Sequence, residues 1–433
     1  MNCYQTLKWE LFLICFIVTT MLAKSWKDCD LDQGGGICPD HATCCPTGNP
    51  GTSACIPTRK HDDPDAYGKC CDYGTGCAYG FQCDMDLQST PFCRIDKDNP
   101  PKDMSHSQPR YKLCQIPSIH MTKIHEFPTA PKQSLAYLSN MGPITSRKKI
   151  RKIEKVLIMI HGSGRNVDDY FCTALSLIPK RDQGKVLILA PKFLAPEDFE
   201  DYKMYEDNKT EFLIWQDKTD ANHSLSHSWR YGADAINAPL SSYEALDRLL
   251  EFLVSPFRFP SLQQISVAGH SAGGQVVQRW ALLSNSFAFN ETRVEIRAVV
   301  ANPRSYCYLD KRRILSTTKN QSDEQLSFRI PTKHELKSCP KYNDWTWGLE
   351  PKSSFLNCPY KDRALQKTPR KQMAKRFASR NVFYLTGAYD ILPQEDHCMT
   401  HDFQGKNRHE RALRFFQALT EYYNATTAQE EDA

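Results

Sequence analysis

The chain has little net charge and no apolar segment of membrane-spanning length. Its 433 residues include 55 Lys and Arg against 50 Asp and Glu, which gives a formal net charge of +5. So small an excess does not require a polyanionic partner, and we expect no binding to nucleic acid. The most apolar run, Leu11–Ala23, has 13 residues and is too short to span a bilayer comfortably. We therefore expect no stable membrane insertion.

The position of this run indicates secretion. Lys8 precedes it, and the small residues Ala23 and Ser25 end it. We interpret residues 1–25 as a cleaved signal peptide, with a signal anchor as the alternative, and expect a protein that is secreted or held in the lumen of the secretory pathway. Five Asn-x-Ser/Thr sequons suit that compartment as glycosylation sites: Asn208, Asn222, Asn290, Asn320 and Asn424.

Aliphatic residues are scarce between Cys29 and Cys93, where cysteine is abundant. Ten cysteines lie there, at positions 29, 38, 44, 45, 55, 70, 71, 77, 83 and 93. Without its signal peptide the chain keeps 16 of 18 cysteines, an even number that favours disulfides in an oxidising compartment. Cross-links must replace the missing core. Metal binding is the alternative, but no C-x-x-C pairs recur at zinc-finger spacing, and we expect no metal.

The phrases "CPDHATCC" (38–45) and "GKCCDYGTGCAYGFQCD" (68–84) resemble the granulin repeat, with fewer double-cysteine steps. The resemblance implies a small disulfide-held module of stacked hairpins over residues 26–93. Such a module is either an inert stalk or a binding module for a protein or matrix partner. Residues 94–113 are polar, contain three prolines and lack periodicity, which is typical of a linker.

From residue 114 onward the pattern is that of an α/β domain. Five short apolar runs recur, at Val156–Ile160, Val186–Ala190, Ile265–Ala268, Arg297–Ala301 and Val382–Thr386. Continuous rather than alternating runs predict strands buried on both faces, and so a doubly wound, mostly parallel sheet covered by helices. Tyr243–Val254 has leucines on one helical face. The six cysteines outside the first module are expected to be disulfide staples: Cys114, Cys172, Cys307, Cys339, Cys358 and Cys398.

The third run leads into Gly269-His270-Ser271-Ala272-Gly273. Gly-x-Ser-x-Gly after a strand and before a helix predicts a nucleophilic serine on a sharp turn, where larger residues two before and two after would clash. The alternative is a plain tight turn. At this point the chain resembles the α/β-hydrolase fold over residues 114–424, with residues 425–433 as a polar tail.

The resemblance assigns roles to several further residues. The oxyanion donors would be the backbone N–H of Ala272 and those of Gly162 and Ser163, in a glycine-rich loop after the first run. His161 in that loop is expected to pack and hydrogen-bond locally. Asp390, which closes the strand "NVFYLTGAYD", would be the catalytic acid, with Asp310 as the alternative.

The catalytic histidine is the least defined member of the triad. No Gly-His and no further strand follow Asp390, so the candidates are His397, His401 and His409. We choose His401 over His397, because both lie in the loop that leaves the acid's strand, and we expect His409 to be a surface residue. An incomplete triad is the alternative.

The phrases "IHGSGRNVDDYF", "ANPRSYCY" and "QGKNRHERA" are similar to a branch of secreted or microbial α/β-hydrolases compared with esterases and polyester depolymerases. This implies a serine hydrolase of small-molecule or polymer esters that needs no cofactor. A non-catalytic binding protein with an incomplete triad and a serine peptidase are the alternatives. Trp215, Trp229 and Tyr231 either line an acyl or aromatic pocket or pack in the core.

Overall fold

The structure is a computed structural model that divides into two units, Met1–Lys112 and Leu113–Ala433. In the first unit it describes eight short strands between residues 26 and 95. In the second unit it describes residues 125–129, 133–144, 150–201, 212–216, 226–291, 293–316, 326–350, 358–388, 390–391 and 398–431. The predicted signal peptide, the predicted linker beyond Ile95, the sequons at Asn208, Asn222 and Asn320, and His397 lie outside these residues.

The strands of the first unit form four two-stranded antiparallel ribbons. In chain order they are β1 (Trp26–Asp28) with β2 (Ile37–Pro39), β3 (Ala42–Pro46) with β4 (Ser53–Pro57), β5 (Lys69–Cys70) with β6 (Gly76–Cys77), and β7 (Phe81–Met85) with β8 (Pro91–Ile95). The register places Cys44 opposite Cys55 and Cys83 opposite Cys93.

The second unit is built on a seven-stranded sheet. Its strands are β9 (His125–Pro128), β10 (Ser134–Ser139), β11 (Lys155–Ile160), β12 (Val186–Lys192), β15 (Gln264–His270), β16 (Glu295–Ala301) and β19 (Asn381–Leu385). Their order is β9-β10-β12-β11-β15-β16-β19. The last five are parallel, while β9 and β10 add to the edge in antiparallel pairs. The five apolar runs are the five parallel strands, so the predicted fold class is confirmed.

Two small antiparallel ribbons, nine α-helices and three short 3₁₀ helices complete the described part of this unit. The ribbons are β13 (Asp234–Ala235) with β14 (Ala238–Ser241), and β17 (Arg313–Ser316) with β18 (Leu326–Arg329). The helices are α1 (Val167–Ser176), α2 (Pro196–Asp201), α3 (Ser242–Leu253), α4 (Ala272–Leu283), α5 (Lys333–Ser338), α6 (Pro359–Lys367), α7 (Arg370–Ala378), α8 (Cys398–His401) and α9 (Arg408–Glu431). None of these helices combines the length and apolarity that a bilayer crossing needs.

Helices and sheet enclose one large apolar core. Helix α3 contributes the leucine face expected from its sequence, and the Ser241 side chain caps it by accepting from the N–H of Tyr243. All twelve residues of α4 are buried. Strand β12 is buried along its whole length, and β15 and β16 along nearly all of theirs, as expected for parallel strands covered on both faces.

The cysteines of the second unit are not all staples. Cys339 bonds to Cys398, and Cys172 is disulfide-bonded. Cys307 and Cys358 are free, buried thiols, so the staple prediction is wrong for these two. The Cys358 thiol donates to the carbonyl oxygen of Gly232 at 3.2 Å. An even cysteine count does not distinguish such small buried side chains from bridged ones.

Candidate active site

Ser271 occupies a strained turn between strand β15 and helix α4. Its φ of 57° and ψ of −116° are values that a non-glycine residue rarely adopts. The N–H of Ser271 donates to the carbonyl oxygen of Ala301 at 2.9 Å, and its carbonyl accepts from the N–H of Gln275 at 3.1 Å. The neighbouring strand and the first turn of the helix therefore hold the serine in place.

The glycines on either side of Ser271 are required by close backbone contacts. A Cβ atom at Gly269 would lie 2.2 Å from the carbonyl oxygen of Gly273. A Cβ atom at Gly273 would lie 2.4 Å from the carbonyl oxygen of Ile160, at the end of β11. Both obstacles are backbone atoms, so the spacing of the motif follows from the geometry of the turn.

The loop that follows β11 is ordered by His161. The ring is fully buried, with edge contacts to Phe193 and Trp229. Its Nε2 accepts from the N–H of Phe193 at 3.1 Å, and its Nδ1 lies 2.9 Å from the carbonyl oxygen of Gly162. Burial lowers the pKa of His161 to about 4, so the ring is neutral and its Nδ1 is the donor. His161 thus packs and bonds locally, as expected.

Tyr170, on α1, connects this loop to the serine turn. Its hydroxyl oxygen lies 3.0 Å from Nδ1 of His270 and would lie 2.6 Å from a Cβ atom at Gly162. Burial raises the pKa of Tyr170, and the backbone N–H of Gly162 partly offsets that rise. The Gly162 N–H is directed at this hydroxyl. Of the other two predicted oxyanion donors, Ser163 is exposed and Ala272 is the first residue of α4.

Asp390 lies just beyond β19, two strands from Ser271. Its N–H donates to the carbonyl oxygen of Gly387 at 3.1 Å, and the Gly387 N–H donates to Oδ1 of Asn302 at 2.7 Å. Asn302 follows β16 in a left-handed conformation with φ of 41°. Because Ala301, the residue before Asn302, accepts from the Ser271 N–H, one chain of contacts links the proposed nucleophile and acid.

The groups closest to Asp390 come from the start of α9. Arg408 Nη1 lies 4.0 Å from Oδ2 of Asp390, and the His409 N–H donates to the Asp390 carbonyl oxygen at 3.1 Å. The His409 ring is half-buried, with Nδ1 3.4 Å from Oγ1 of Thr386. His409 is thus only partly exposed, because the first turn of α9 packs against the acid's loop.

The charges of Arg408 and Asp390 also act on His270, the residue before Ser271. Burial lowers the pKa of His270, Arg408 lowers it further, and Asp390 raises it. Tyr170, His270, Asp390 and Arg408 thus form one cluster at the carboxyl edge of the sheet. Tyr170 and Arg408 were not singled out from the sequence, since no local motif marks them.

His401 is the last residue of α8. Its side chain is partly exposed, and its Nδ1 lies 2.9 Å from Oδ1 of Asp402. Among the described residues it has no contact with Ser271 or Asp390, so its role as base stays a prediction. The alternative acid, Asp310, is paired with Arg312 at 2.6 Å.

The aromatic residues considered for a pocket belong to the core. Trp215 and Trp229 are completely buried, and Trp229 stacks on Phe193. Tyr231 is partly buried against the same core. Across the described ranges, no group of three or more His, Cys, Asp or Glu side chains is placed to hold a metal ion.

The strand order, with an elbow serine at the end of the strand between β11 and β16, is that of an α/β-hydrolase fold. No protein-family model matches the chain. No curated protein matches it either.

Several solved structures are similar to the chain. One is poly(aspartic acid) hydrolase-1 from Sphingomonas sp. KT-1, at 18% identity and a TM-score of 0.37, covering 70% of this chain and 86% of that one. Another is LpqC, a poly(3-hydroxybutyrate) depolymerase from Bordetella parapertussis, at 17% identity and a TM-score of 0.40, with coverages of 70% and 79%. A third is the siderophore hydrolase EstB from Aspergillus nidulans, at 13% identity and a TM-score of 0.25, covering 67% of this chain and 91% of that one. Scores this low carry no argument about the site or the substrate.

Proposed function

We propose that this protein is a secreted serine hydrolase that cleaves carboxylic esters through an acyl-enzyme on Ser271. The observation that carries the proposal is the backbone of Ser271. A turn that only reverses the chain would place glycine at φ of 57°, whereas a serine there costs about 1–3 kcal/mol of strain. Strain of this kind, at the carboxyl edge of a parallel sheet, is typical of a nucleophile held away from its neighbours.

The proposed reaction uses residues of this chain alone. Ser271 Oγ attacks the ester carbonyl carbon while a histidine takes its proton, and the N–H groups of Ser163 and Ala272 stabilise the oxyanion. The intermediate releases the alcohol, which receives that proton, and water then hydrolyses the acyl-enzyme. Asp390 would orient the histidine. His401 is our proposed base, from its place in the loop after the acid's strand, and His409, whose backbone bonds to Asp390, is its competitor.

Secretion, glycosylation and the granulin-like module are parts of the same proposal. Asn290 and Asn424, the two sequons within the described residues, are exposed, which supports their use as glycan acceptors. The antiparallel ribbons between residues 26 and 95 support a module of short hairpins. Its proposed role is to bind a protein or matrix partner near the ester substrate.

One observation favours the alternative of a non-catalytic binding protein. Within the described part of the chain, the ion pair of Asp390 is with Arg408 and not with a histidine. An acid that is committed to an arginine would leave the serine without an oriented base. The two functions differ in whether Ser271 reacts at all.

The test is to treat the purified secreted protein with a tagged fluorophosphonate and with short- and long-chain p-nitrophenyl esters. We expect labelling and turnover in the wild type, neither in Ser271→Ala, and wild-type behaviour in Ser176→Ala, a matched change at an exposed helical serine. A wild-type protein that neither labels nor turns over would favour the binding protein. Labelling that survives Ser271→Ala would place the nucleophile elsewhere.

A further inference from the structure

The direction of the Ser163 N–H is set by hydrogen bonds to the other end of its own peptide unit. The Gly162 carbonyl and the Ser163 N–H share one planar trans peptide, so they point in opposite directions. That carbonyl accepts from Nδ1 of His161 at 2.9 Å and from the N–H of Arg165 at 3.2 Å. Two bonds on the carbonyl therefore fix the orientation of the donor.

The residue that donates the second of these bonds has an unusual backbone conformation. Arg165 has φ of 50°, in the left-handed region, although it carries a long side chain. This conformation sets the direction in which the chain leaves Arg165 and enters α1. Glycine would adopt it without strain, so the arginine is kept there at a conformational cost.

The side chain of Arg165 is anchored in the protein interior. Its Nε donates to Oδ2 of Asp198 at 2.9 Å, and the same oxygen accepts from the N–H of Ala195 at 2.8 Å. Nζ of Lys192, the last residue of β12, lies 3.6 Å from the other oxygen. Asp198 and Lys192 are both almost completely buried, at 4% and 2% exposure.

A buried ion pair of this kind contributes little net stability, because desolvation of the charges opposes their attraction. What it does supply is a fixed geometry. Because Lys192 belongs to the strand next to β11, the Asp198 carboxylate is fixed relative to the sheet that also carries Ser271. These bonds therefore hold the loop after β11 at a fixed position relative to Ser271.

We infer that Asp198 and Arg165 are positioning residues for the oxyanion donor: Asp198 holds the Arg165 side chain, and the Arg165 N–H holds the peptide whose Ser163 N–H faces the substrate. Neither residue touches the reacting atoms. This inference rests on the proposed function, since it requires an oxyanion at Ser163.

The decisive variant is Arg165→Gly. It removes the side-chain anchor, and the relief of the left-handed strain offsets part of the cost of breaking the buried ion pair. We expect kcat for p-nitrophenyl acetate to fall at least about tenfold, since loss of a whole oxyanion donor costs about 10²–10³-fold. KM should change less than about twofold, and the rate of fluorophosphonate labelling should fall in parallel with kcat. Asp198→Asn should give the same pattern.

The matched control is Asp182→Asn, which removes the carboxylate of an exposed ion pair with Arg181 and should leave kcat at the wild-type value. If Asp198→Asn does not fold, Arg165→Gly decides alone. An Arg165→Gly protein with kcat within twofold of an active wild type would overturn the inference and leave the proposed function standing. A wild type without labelling or turnover would overturn both.

Discussion

Gly273→Ala tests the claim that the serine turn is determined by backbone contact. An added Cβ atom would lie 2.4 Å from the Ile160 carbonyl oxygen and 2.7 Å from that of His161. Neither is the end of a flexible side chain: one ends the buried strand β11 and the other begins the oxyanion loop. Helix α4 and strand β11 would have to separate by several tenths of an ångström.

The expected cost combines two opposing effects. Overpacking a well-packed core costs about 1–3 kcal/mol, and rigid backbone on both sides places this site at the upper end. Replacing a helical glycine by alanine recovers about 1 kcal/mol. We therefore expect a net loss of about 2 kcal/mol in the free energy of unfolding, or a fall of about 3 °C in the melting temperature of a unit of this size.

The assay is urea denaturation of Gly273→Ala beside Gly184→Ala. A Cβ atom added at Gly184 would meet no heavy atom within 4 Å, so this variant should match the wild type within about 0.5 kcal/mol. Gly273→Ala should also lose turnover, because the displaced carbonyls belong to the oxyanion loop. Equal unfolding free energies in the two variants would refute the steric account of the motif.

Two further predictions concern the base and a buried acid. His401→Ala should lower esterase turnover by several orders of magnitude and His409→Ala should have little effect; the reverse result would assign the base to the residue beside Asp390, and equal activity in both would place it elsewhere. Burial raises the pKa of Asp247 from 3.8 to about 6. Its contribution to stability is therefore complete below the unfolded-state pKa and is lost as the pH rises through 6, by about 3 kcal/mol. Asp247→Asn should flatten the decline in unfolding free energy between about pH 4 and pH 6.5, and an unchanged decline would contradict this.

The sequence predicted the parallel strands because each is a continuous apolar run between turn residues. It missed β10, whose six residues are all buried although Ser134 and Ser139 begin and end it. Neither an alternating pattern nor a continuous apolar run marks such a strand in the sequence, because residues from distant parts of the chain cover it. Strand order could not be predicted from these runs, since pairing partners such as β16 and β19 are about 80 residues apart.

The residues of the site also divide into those that a local sequence motif predicts and those that it does not. The serine turn is a local motif, so the five residues Gly269–Gly273 were enough to predict the turn and the helix that follows it. Tyr170, Asn302 and Asp198 act through contacts with loops after other strands, and single polar residues in loops carry no periodic signal. The base was the hardest to predict because its identity depends on how the loop after Asp390 returns to the site.

The two free cysteines, Cys307 and Cys358, have a consequence for how the protein is inactivated by heat. In the folded state burial raises the pKa of Cys307 and of Cys358 to about 12, so at neutral pH neither forms a thiolate. Unfolding restores a pKa of about 8.5, and the resulting thiolate can attack the Cys339–Cys398 bond. Each exchange produces a mispaired chain that cannot refold. Above about pH 8, where the thiolate is abundant, heat inactivation of this domain is then irreversible, its apparent midpoint depends on the heating rate, and its working lifetime is set by the rate of unfolding rather than by an equilibrium.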